Sequence, residues 1–327
     1  MPLASDVSVI IPYYNRELYI DEAVQSALAQ TLKPLEILIV NDASRHSSRR
    51  FLDRYAKLCT IIDLPVNVGL ASARNAGIQA AQGRFIALLD DDDIWLPHKL
   101  EVQRAYIDEH PGCDGTHSAV WAILPGQPDT YYRRFGIWWE AVSDAKLAPG
   151  EAPPGPVTLA QALTNDCWVI PSTMMFRTNV ARALGGFDSA FRQCEDRDFI
   201  IRFCAAGYRI EAILEPLTKL RRQGHDRLTS RRWRIFRNDL KTCWKHRELF
   251  RQVYGTWGIA SFVLDKLQEP TFGIPRVYGG VRRALWAVNR KRQIKSGYRE
   301  PVLTRIRQSS SAQSSMDETR FVGEHQL

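Results

Sequence analysis

The stretch Phe85-Ile86-Ala87-Leu88-Leu89-Asp90-Asp91-Asp92-Asp93 joins five apolar residues directly to four carboxylates. The apolar half follows Gly83-Arg84 and has the length of a buried β-strand. Adjacent anions repel one another, so we expect a cation or a cationic ligand among them rather than a solvated acidic turn. Carboxylates at the carboxyl end of a strand lie where open α/β sheets bind ligands, and their oxygen atoms suit Mg²⁺ or Mn²⁺.

Strands and helices alternate through the first third of the chain. The apolar patterns predict strands at 7–11, 35–40, 60–63 and 85–89, and helices at 18–28, 47–57, 70–81 and 97–107. Such alternation is typical of βαβ units and predicts an α/β protein with a mostly parallel sheet flanked by helices. The loops that carry Tyr14, Asp42 and the four aspartates would then meet at one edge of the sheet and converge on one ligand.

The overall composition limits the class of protein. With 327 residues and 45% hydrophobic content, the chain is long enough for one large α/β domain and an appendage. The formal net charge is +8, and basic residues dominate from Arg221 onward, which predicts an anionic partner such as a phosphate-bearing substrate or an anionic lipid. No motif that reads nucleic acid accompanies these charges, so we exclude a nucleic-acid partner.

The six cysteines form no C-x-x-C pair, and no secretory leader opens the sequence. Both features predict a cytoplasmic protein with reduced thiols. No segment reaches the roughly 18 to 20 apolar residues that span a bilayer.

The second half of the chain is less regular in sequence. Residues 124–156 are rich in proline, glycine and aromatic residues, which predicts either a long loop that folds over the substrate or a disordered insert. Strands are predicted at 168–177 and 208–214, with a helix from Glu195 past Phe203 between them. Residues 231–308 are expected to form a basic helical extension, and 309–327 a disordered tail.

Five motifs follow one another between residues 5 and 230. They are Val7-Ser8-Val9-Ile10-Ile11-Pro12-Tyr13-Tyr14-Asn15, Ile39-Val40-Asn41-Asp42-Ala43-Ser44, Asn67-Val68-Gly69-Leu70-Ala71-Ser72-Ala73-Arg74-Asn75-Ala76-Gly77, Leu89-Asp90-Asp91-Asp92-Asp93-Ile94-Trp95-Leu96-Pro97 and Cys194-Glu195-Asp196-Arg197-Asp198. In these motifs the chain resembles the inverting nucleotide-sugar glycosyltransferases of family 2, which have a GT-A type fold. The resemblance implies a GT-A domain over residues 1–230, with a nucleotide-sugar half at 1–123 and an acceptor half at 157–230.

The resemblance also implies which residues bind the nucleotide-diphosphate sugar, with a UDP-sugar favoured. Pro12 and Tyr14 would frame the base, Asn15 would be a further nucleotide-sugar-binding residue, and Asp42 would accept a hydrogen bond from the ring N–H group of the base. A tyrosine face and a carboxylate acceptor suit a planar pyrimidine. Arg74 would either contact phosphate or neutralise an aspartate.

The resemblance further implies a metal site and a catalytic pair. Asp92 is the expected direct ligand of Mn²⁺ or Mg²⁺, with Asp90 or Asp91 directed to the ribose or to the metal-bound waters. His225 would either approach the metal or the diphosphate, or be an ordinary surface histidine. Glu195 and Asp196 match the acidic pair on the acceptor side, and Asp196 aligns with the general base that takes the proton of the acceptor hydroxyl group.

Two other functions and one membrane contact remain open. A processive polysaccharide synthase shares the first four motifs, but this chain has Thr229 where such enzymes carry the glutamine of Q-x-x-R-W. The second alternative is a non-catalytic relative that binds nucleotide or glycan. A predicted basic helix at 273–295 would either lie on an anionic membrane surface, at the inner face of the plasma membrane, or pack on the domain. The acceptor would then be a glycan or a lipid-linked molecule in surface polysaccharide or glycolipid assembly.

Overall fold

The computed structural model describes residues 6–123, 130–135, 138–141, 155–164, 169–221 and 232–267. Its strands are β1 (Val7–Tyr13), β2 (Glu36–Asn41), β3 (Thr60–Asp63), β4 (Phe85–Leu88), β5 (Ile94–Trp95), β6 (Gly115–Ile123), β7 (Thr130–Phe135), β8 (Trp138–Ala141), β9 (Met175–Arg177) and β10 (Ile210–Arg221). Its α-helices are α1 (Ile20–Leu28), α2 (His46–Phe51), α3 (Leu70–Ala80), α4 (Lys99–Glu109), α5 (Leu159–Thr164), α6 (Thr178–Ala183), α7 (Glu195–Ala205), α8 (Arg232–Lys245), α9 (Arg247–Tyr254) and α10 (Gly258–Leu267).

One sheet joins these strands in the order β3-β2-β1-β4-β9-β6-β10-β5, and the β7–β8 hairpin adds to β6. Neighbours from β3 to β4 are parallel, as are β6 and β10, whereas β9 and β5 run in the opposite direction. The predicted α/β fold with a mostly parallel sheet is confirmed. The parallel register brings the carboxyl ends of β1, β2 and β4 to the same edge.

Apolar clusters cover both faces of the sheet. Ile10 of β1 packs in the first cluster, with residues of α3, α7 and β9. Its neighbours Val9 and Ile11 pack in the second cluster, with residues of α1 and α4. Every residue of β1 is buried, because a central parallel strand that is covered on both sides has no polar face. The loops at the strand ends therefore extend from a rigid base.

Two sequence-based predictions about the second half were wrong. Instead of one strand over 168–177, a 3-10 turn occupies Pro171–Thr173 and β9 begins only at Met175, since proline has no N–H group to pair in a ladder. The segment 124–156 is not wholly irregular, because β7 and β8 form an antiparallel hairpin in which Phe135 pairs with Trp138. The aromatic residues that were interpreted as a loop are good strand formers.

The first part of the C-terminal extension packs against α7. Phe250 of α9 and Phe262 of α10 are buried in the same apolar cluster as Phe199 and Phe203 of α7. The described residues include no helix that is long and apolar enough to cross a membrane. His225, the helix predicted at 273–295 and the tail at 309–327 lie outside the described residues.

Close packing of α3 on β1 gives a prediction about stability. A Cβ atom on Gly77 would lie 2.5 Å from Cγ2 of Ile10, so Gly77→Ala overpacks the core. We expect the free energy of unfolding in urea to fall by about 1 to 3 kcal/mol. Gly155→Ala is the control, because no atom of the described residues beyond its chain neighbours lies within 4 Å of its Cβ position, and its effect should stay within about 0.5 kcal/mol. Equal effects of the two substitutions would contradict this packing.

Candidate functional site

The loops after β1 and β2 are tied together at the edge of the sheet. Asn15 and Ala43 both have φ of 53°, in the left-handed region that favours short, tight turns. The backbone N–H of Asn15 donates to Ser44 Oγ at 3.1 Å, and the side chain of Asn15 accepts from the backbone N–H of Arg45 at 2.9 Å. Pro12 is buried within β1, whereas Tyr14, the first residue after this strand, is 47% exposed. An aromatic face is thus open to a ligand beside a rigid loop pair.

Asp42 is buried and holds the turn that leads into α3. Its two carboxylate oxygens accept hydrogen bonds from the backbone N–H groups of Val68, at 2.7 Å, and Gly69, at 2.9 Å. Gly69 has φ of 87°, which glycine adopts without the steric cost of a side chain. Each carboxylate oxygen has a second lone pair, so Asp42 retains the capacity to accept from a ligand as well.

Each of the four consecutive aspartates has a partner in the protein, and Asp91 and Asp92 share one, Arg16. Asp90 accepts from Arg74 at 2.6 Å, and Asp92 accepts from the guanidinium group of Arg16. Arg16 also lies 3.8 Å from Asp91. Asp93 accepts from Ser172 Oγ at 2.6 Å and from the backbone N–H of Arg221 at 3.1 Å. The expected cations among these anions are therefore present in the protein as guanidinium groups.

Burial divides the aspartates into two kinds. Burial raises the pKa of Asp91 well above its ordinary value, against the opposing charge of Arg16. Burial, together with repulsion from Asp92 and Asp90, also raises the pKa of Asp93. The side chains of Asp90 and Asp92 are 26% and 18% exposed, so the first and third carboxylates are the ones a ligand can reach.

Asp90 and Asp92 can hold a divalent cation only if a bound ligand supplies further oxygen atoms. The described residues contain no group of three His, Cys, Asp or Glu side chains that could hold a metal ion. Mg²⁺ commonly binds one or two carboxylates, and substrate phosphates and waters supply its other oxygens. Asp92, with Asp90 beside it, offers that number of protein oxygens, and a cation there would replace the guanidinium group of Arg16.

Arg74 joins the two halves of the site. Its side chain is 1% exposed and donates to Asp90 after β4 and to Glu195 at the start of α7, each at 2.6 Å. Burial opposes its charge, but the two carboxylates outweigh burial and raise the pKa of the guanidinium group further. Its guanidinium also lies 5.4 Å from the centre of the Phe187 ring. Of the two roles considered for Arg74, the structure places it where it neutralises an aspartate.

Asp196 lies next to Glu195 in the first turn of α7. Its carboxylate accepts from the backbone N–H of Arg197 at 2.7 Å. Burial raises the pKa of Asp196 to about 7, and repulsion from Glu195 adds to the increase. A carboxylate with a pKa near neutrality is well suited to accept a proton, since its two forms are then both populated. The structure thus brings Asp196 and the Asp90 end of the sheet to the same site, through Arg74 and Glu195.

Two residues of this site were missed in the sequence. Arg16 directly follows Asn15 at the end of β1, so its position next to a predicted binding loop was a usable signal. Ser172 is fully buried and accepts from the backbone N–H of Asp90 at 3.0 Å while its hydroxyl donates to Asp93. Nothing local marks Ser172, because its partners are about 80 residues away in the chain.

Known proteins resemble this chain in sequence. The model of the family "Glycosyl transferase family 2" matches residues 8–148. The Bacillus subtilis protein EpsE, named as a glycosyltransferase, is 30% identical over 221 residues, which cover 66% of this chain and 72% of EpsE. The Bacillus subtilis protein TuaG, named for teichuronic acid biosynthesis, is 42% identical over 106 residues, or 32% of this chain. The match spans 42% of TuaG and 58% of a Rickettsia prowazekii glycosyltransferase, less than two thirds of either.

Solved structures share the fold. TarS of S. aureus, in complex with UDP-GlcNAc, aligns with a TM-score of 0.58 at 20% identity and covers 84% of this chain and 74% of its own. The mannosyltransferase PcManGT of Pyrobaculum calidifontis, in complex with GDP-Man and Mn²⁺, aligns with a TM-score of 0.55 at 16% identity over 90% of this chain and 82% of its own. The GT-A type of α/β fold that the motifs implied is thereby confirmed.

The raised pKa of Asp196 gives a prediction about stability. Its folded-state pKa of about 7 exceeds the ordinary value of 3.8, so the folded protein loses stability as pH rises through this interval. Asparagine cannot ionise, so the variant Asp196→Asn lacks this loss of stability. Between pH 5 and pH 8, its free energy of unfolding should therefore rise relative to that of the wild type by roughly 1 to 3 kcal/mol. Urea titrations at the two pH values measure the difference.

A control with the opposite sign is available. Burial opposes ionisation of Asp188, but hydrogen bonds from Lys245 and the backbone of Ala190 lower its pKa. Asp188→Asn should accordingly lose stability relative to the wild type at neutral pH, with the gap closing as pH falls below about 4. Parallel stability curves for the wild type and Asp196→Asn would contradict the burial of this carboxylate.

Proposed function

Because the chain belongs to glycosyltransferase family 2, we propose that it transfers a sugar from a nucleoside-diphosphate sugar to an acceptor hydroxyl group, with inversion at the anomeric carbon. One observation carries this proposal. The buried side chain of Arg74 bridges Asp90, at the strand edge that would hold the donor, and Glu195, beside the candidate base Asp196. In a single displacement the acceptor hydroxyl group attacks opposite the leaving diphosphate. The donor-side carboxylate Asp90 and the candidate base Asp196 must therefore lie beside the same sugar.

The donor half would bind the nucleotide at the ends of β1 and β2. The exposed ring of Tyr14 offers a stacking face for a base, with Pro12 and Asn15 beside it. Asp42 would accept from a ring N–H group, which uracil and guanine have and adenine and cytosine lack. The related structures that hold UDP-GlcNAc and GDP-Man support a donor of this class. A UDP-sugar remains our preferred donor.

Asp92 would hold Mn²⁺ or Mg²⁺ together with the donor diphosphate, and Asp90 rather than the buried Asp91 would face the ribose or the metal-bound waters. When bound, such a cation stabilises the negative charge that develops on the leaving diphosphate. His225 is proposed as a further ligand from the resemblance alone. The complex of PcManGT with GDP-Man and Mn²⁺ supports a divalent cation in this fold.

Asp196 would take the proton of the acceptor hydroxyl group. Glu195 accepts from Arg74 at 2.6 Å, so its charge is already neutralised, whereas the pKa of Asp196 is raised to about 7. This difference separates the roles of the pair: Glu195 positions, and Asp196 accepts the proton.

The acceptor is proposed as a glycan or a lipid-linked molecule in surface polysaccharide or glycolipid assembly. The name of TuaG, which refers to teichuronic acid biosynthesis, supports an acceptor of this class. A peripheral position at the inner face of the plasma membrane, through the basic residues of 273–295, remains a proposal on the same footing. We also retain the proposed division into donor half 1–123, acceptor half 157–230 and helical extension 231–308.

A panel of nucleotide sugars tests the function and its metal requirement together. The purified protein should hydrolyse at least one donor with Mn²⁺ or Mg²⁺ present, and excess chelator should abolish hydrolysis until metal is restored. Asp92→Asn should lower the rate by about 10²-fold or more, since the metal contributes several kcal/mol to transition-state stabilisation. Asp108→Asn, an exposed residue of α4, is the control and should keep wild-type activity. Full activity in chelator would overturn the metal site.

Donor binding and proton transfer should respond to different substitutions. Asp42→Ala removes the carboxylate that would accept a hydrogen bond from the nucleotide's ring N–H group. Nucleotide binding, measured by calorimetry, should weaken by about 1 to 3 kcal/mol. Asp196→Asn should leave nucleotide affinity within about twofold while transfer falls by about 10²-fold or more, because an amide cannot take the proton. Equal losses of nucleotide affinity in both variants would show that Asp196 is not on the acceptor side.

A further inference from the structure

We infer that helices α8 and α9 position the proton acceptor Asp196, by means of buried polar contacts with the two residues that follow it, Arg197 and Asp198. This inference rests on the role proposed for Asp196. It adds positioning residues, Asp239 and His246, that lie outside the segment 8–148 matched by the family model. These residues act through α7 and do not touch the substrate.

Arg197 ties α7 to three other helices. Its side chain is 3% exposed, and Nη1 lies 2.5 Å from a carboxylate oxygen of Asp239 on α8. The guanidinium group also donates to the carbonyl oxygen of Leu163 on α5 and lies 4.7 Å from the centre of the Phe262 ring of α10. A buried guanidinium that loses its carboxylate is strongly destabilised, so this group fixes the spacing between α7 and α8.

Asp198 ties the same turn to the start of α9. Its carboxylate is fully buried and lies 2.8 Å from Nε2 of His246 and 2.6 Å from Nζ of Lys245. The other oxygen accepts from Nε of Arg202 at 2.8 Å. Burial alone would raise the pKa of Asp198, but the hydrogen bonds from His246 and Lys245 and the charge of Arg202 lower it below its ordinary range. The carboxylate is therefore ionised and held from three sides.

The position of Asp196 depends on how the first turn of α7 is held. The turn begins at Cys194, whose φ of 63° is a conformation that costs a non-glycine residue roughly 1 to 3 kcal/mol unless its surroundings hold it. Arg74 holds Glu195, and α8 and α9 hold Arg197 and Asp198. The hydrogen bond described above for Asp196 is with the backbone N–H of Arg197, so a shift of Arg197 moves the proton acceptor.

The step that should suffer is proton transfer rather than donor binding. Misplacing a catalytic group by about 1 Å can cost about 10²-fold in rate. The proposed nucleotide-binding residues lie at the ends of β1, β2 and β4. The contacts of Arg197 and Asp198 with α8 and α9 described above include no residue of these three strands. Loss of the contact between Asp198 and His246 should thus lower kcat and leave nucleotide affinity unchanged.

Substitutions of His246 test this in the full-length protein. His246→Ala removes the contact, whereas His246→Gln keeps an amide N–H that can still donate to Asp198. The exposed neighbour Glu248 gives the control, Glu248→Ala. UDP and GDP binding with Mn²⁺ is measured by calorimetry, hydrolysis is measured with UDP-GlcNAc and GDP-mannose, and hydrogen exchange reports on the amides of residues 194–200.

We expect kcat of His246→Ala to fall about tenfold or more, with the nucleotide Kd within about twofold and faster exchange at 194–200. His246→Gln should recover most of the rate and the protection, and Glu248→Ala should match the wild type. Unchanged exchange, or faster exchange with unchanged kcat, would overturn the inference while leaving the proposed function intact. A fall of kcat and nucleotide affinity together would also overturn it. Wild-type protein that binds neither nucleotide would instead refute the proposed function.

Discussion

The buried ion pairs of Arg74 with Asp90 and Glu195 are the constraint on which the rest of the site depends. A guanidinium group with almost no exposure is tolerated only where carboxylates compensate its charge, so both partners must stay within hydrogen-bond reach. The neighbouring Asn75 reinforces this arrangement, because its amide donates to the carbonyl of Phe187 and accepts from the N–H of Phe187, each at 2.7 Å. Helix α3 thereby fixes the second half of the chain against the first.

Charge at the site is balanced before any ligand arrives. Arg74 and Arg16 neutralise the reachable carboxylates, and burial raises the pKa of Asp91 and of Asp93. A diphosphate and its cation would therefore replace contacts that the protein already makes, such as that of Arg16 with Asp92, and would not enter a cleft of uncompensated negative charge. Like Asp91 and Asp93, Asp196 has a pKa raised by burial, and this destabilises the folded protein near neutral pH, as is common for groups kept for function.

The sequence was a good guide where short-range patterns dominate. The apolar runs and helical spacings predicted β1 to β4, α3 and α7, and the three loops at one edge follow from parallel strands. Contacts between distant residues were not predictable in this way. Ser172 reaches the acid run from a 3-10 turn, and His246 reaches Asp198 from the C-terminal extension, where local sequence indicated only a basic helical segment. Of the two guanidinium partners of the aspartates, Arg74 was among the predicted site residues, with neutralisation of an aspartate as one of its two roles, whereas Arg16 was missed.

The central claim is that the acid run and Asp196 form one site held together by Arg74. A crystal structure of the protein with UDP or GDP and Mn²⁺ tests this claim most directly. The account predicts the diphosphate at the ends of β1, β2 and β4 with Mn²⁺ on Asp92, the side chain of Arg16 displaced, and Arg74 still bound to Asp90 and Glu195. A nucleotide bound elsewhere, or bound at this edge with Asp196 turned away from the diphosphate, would contradict it.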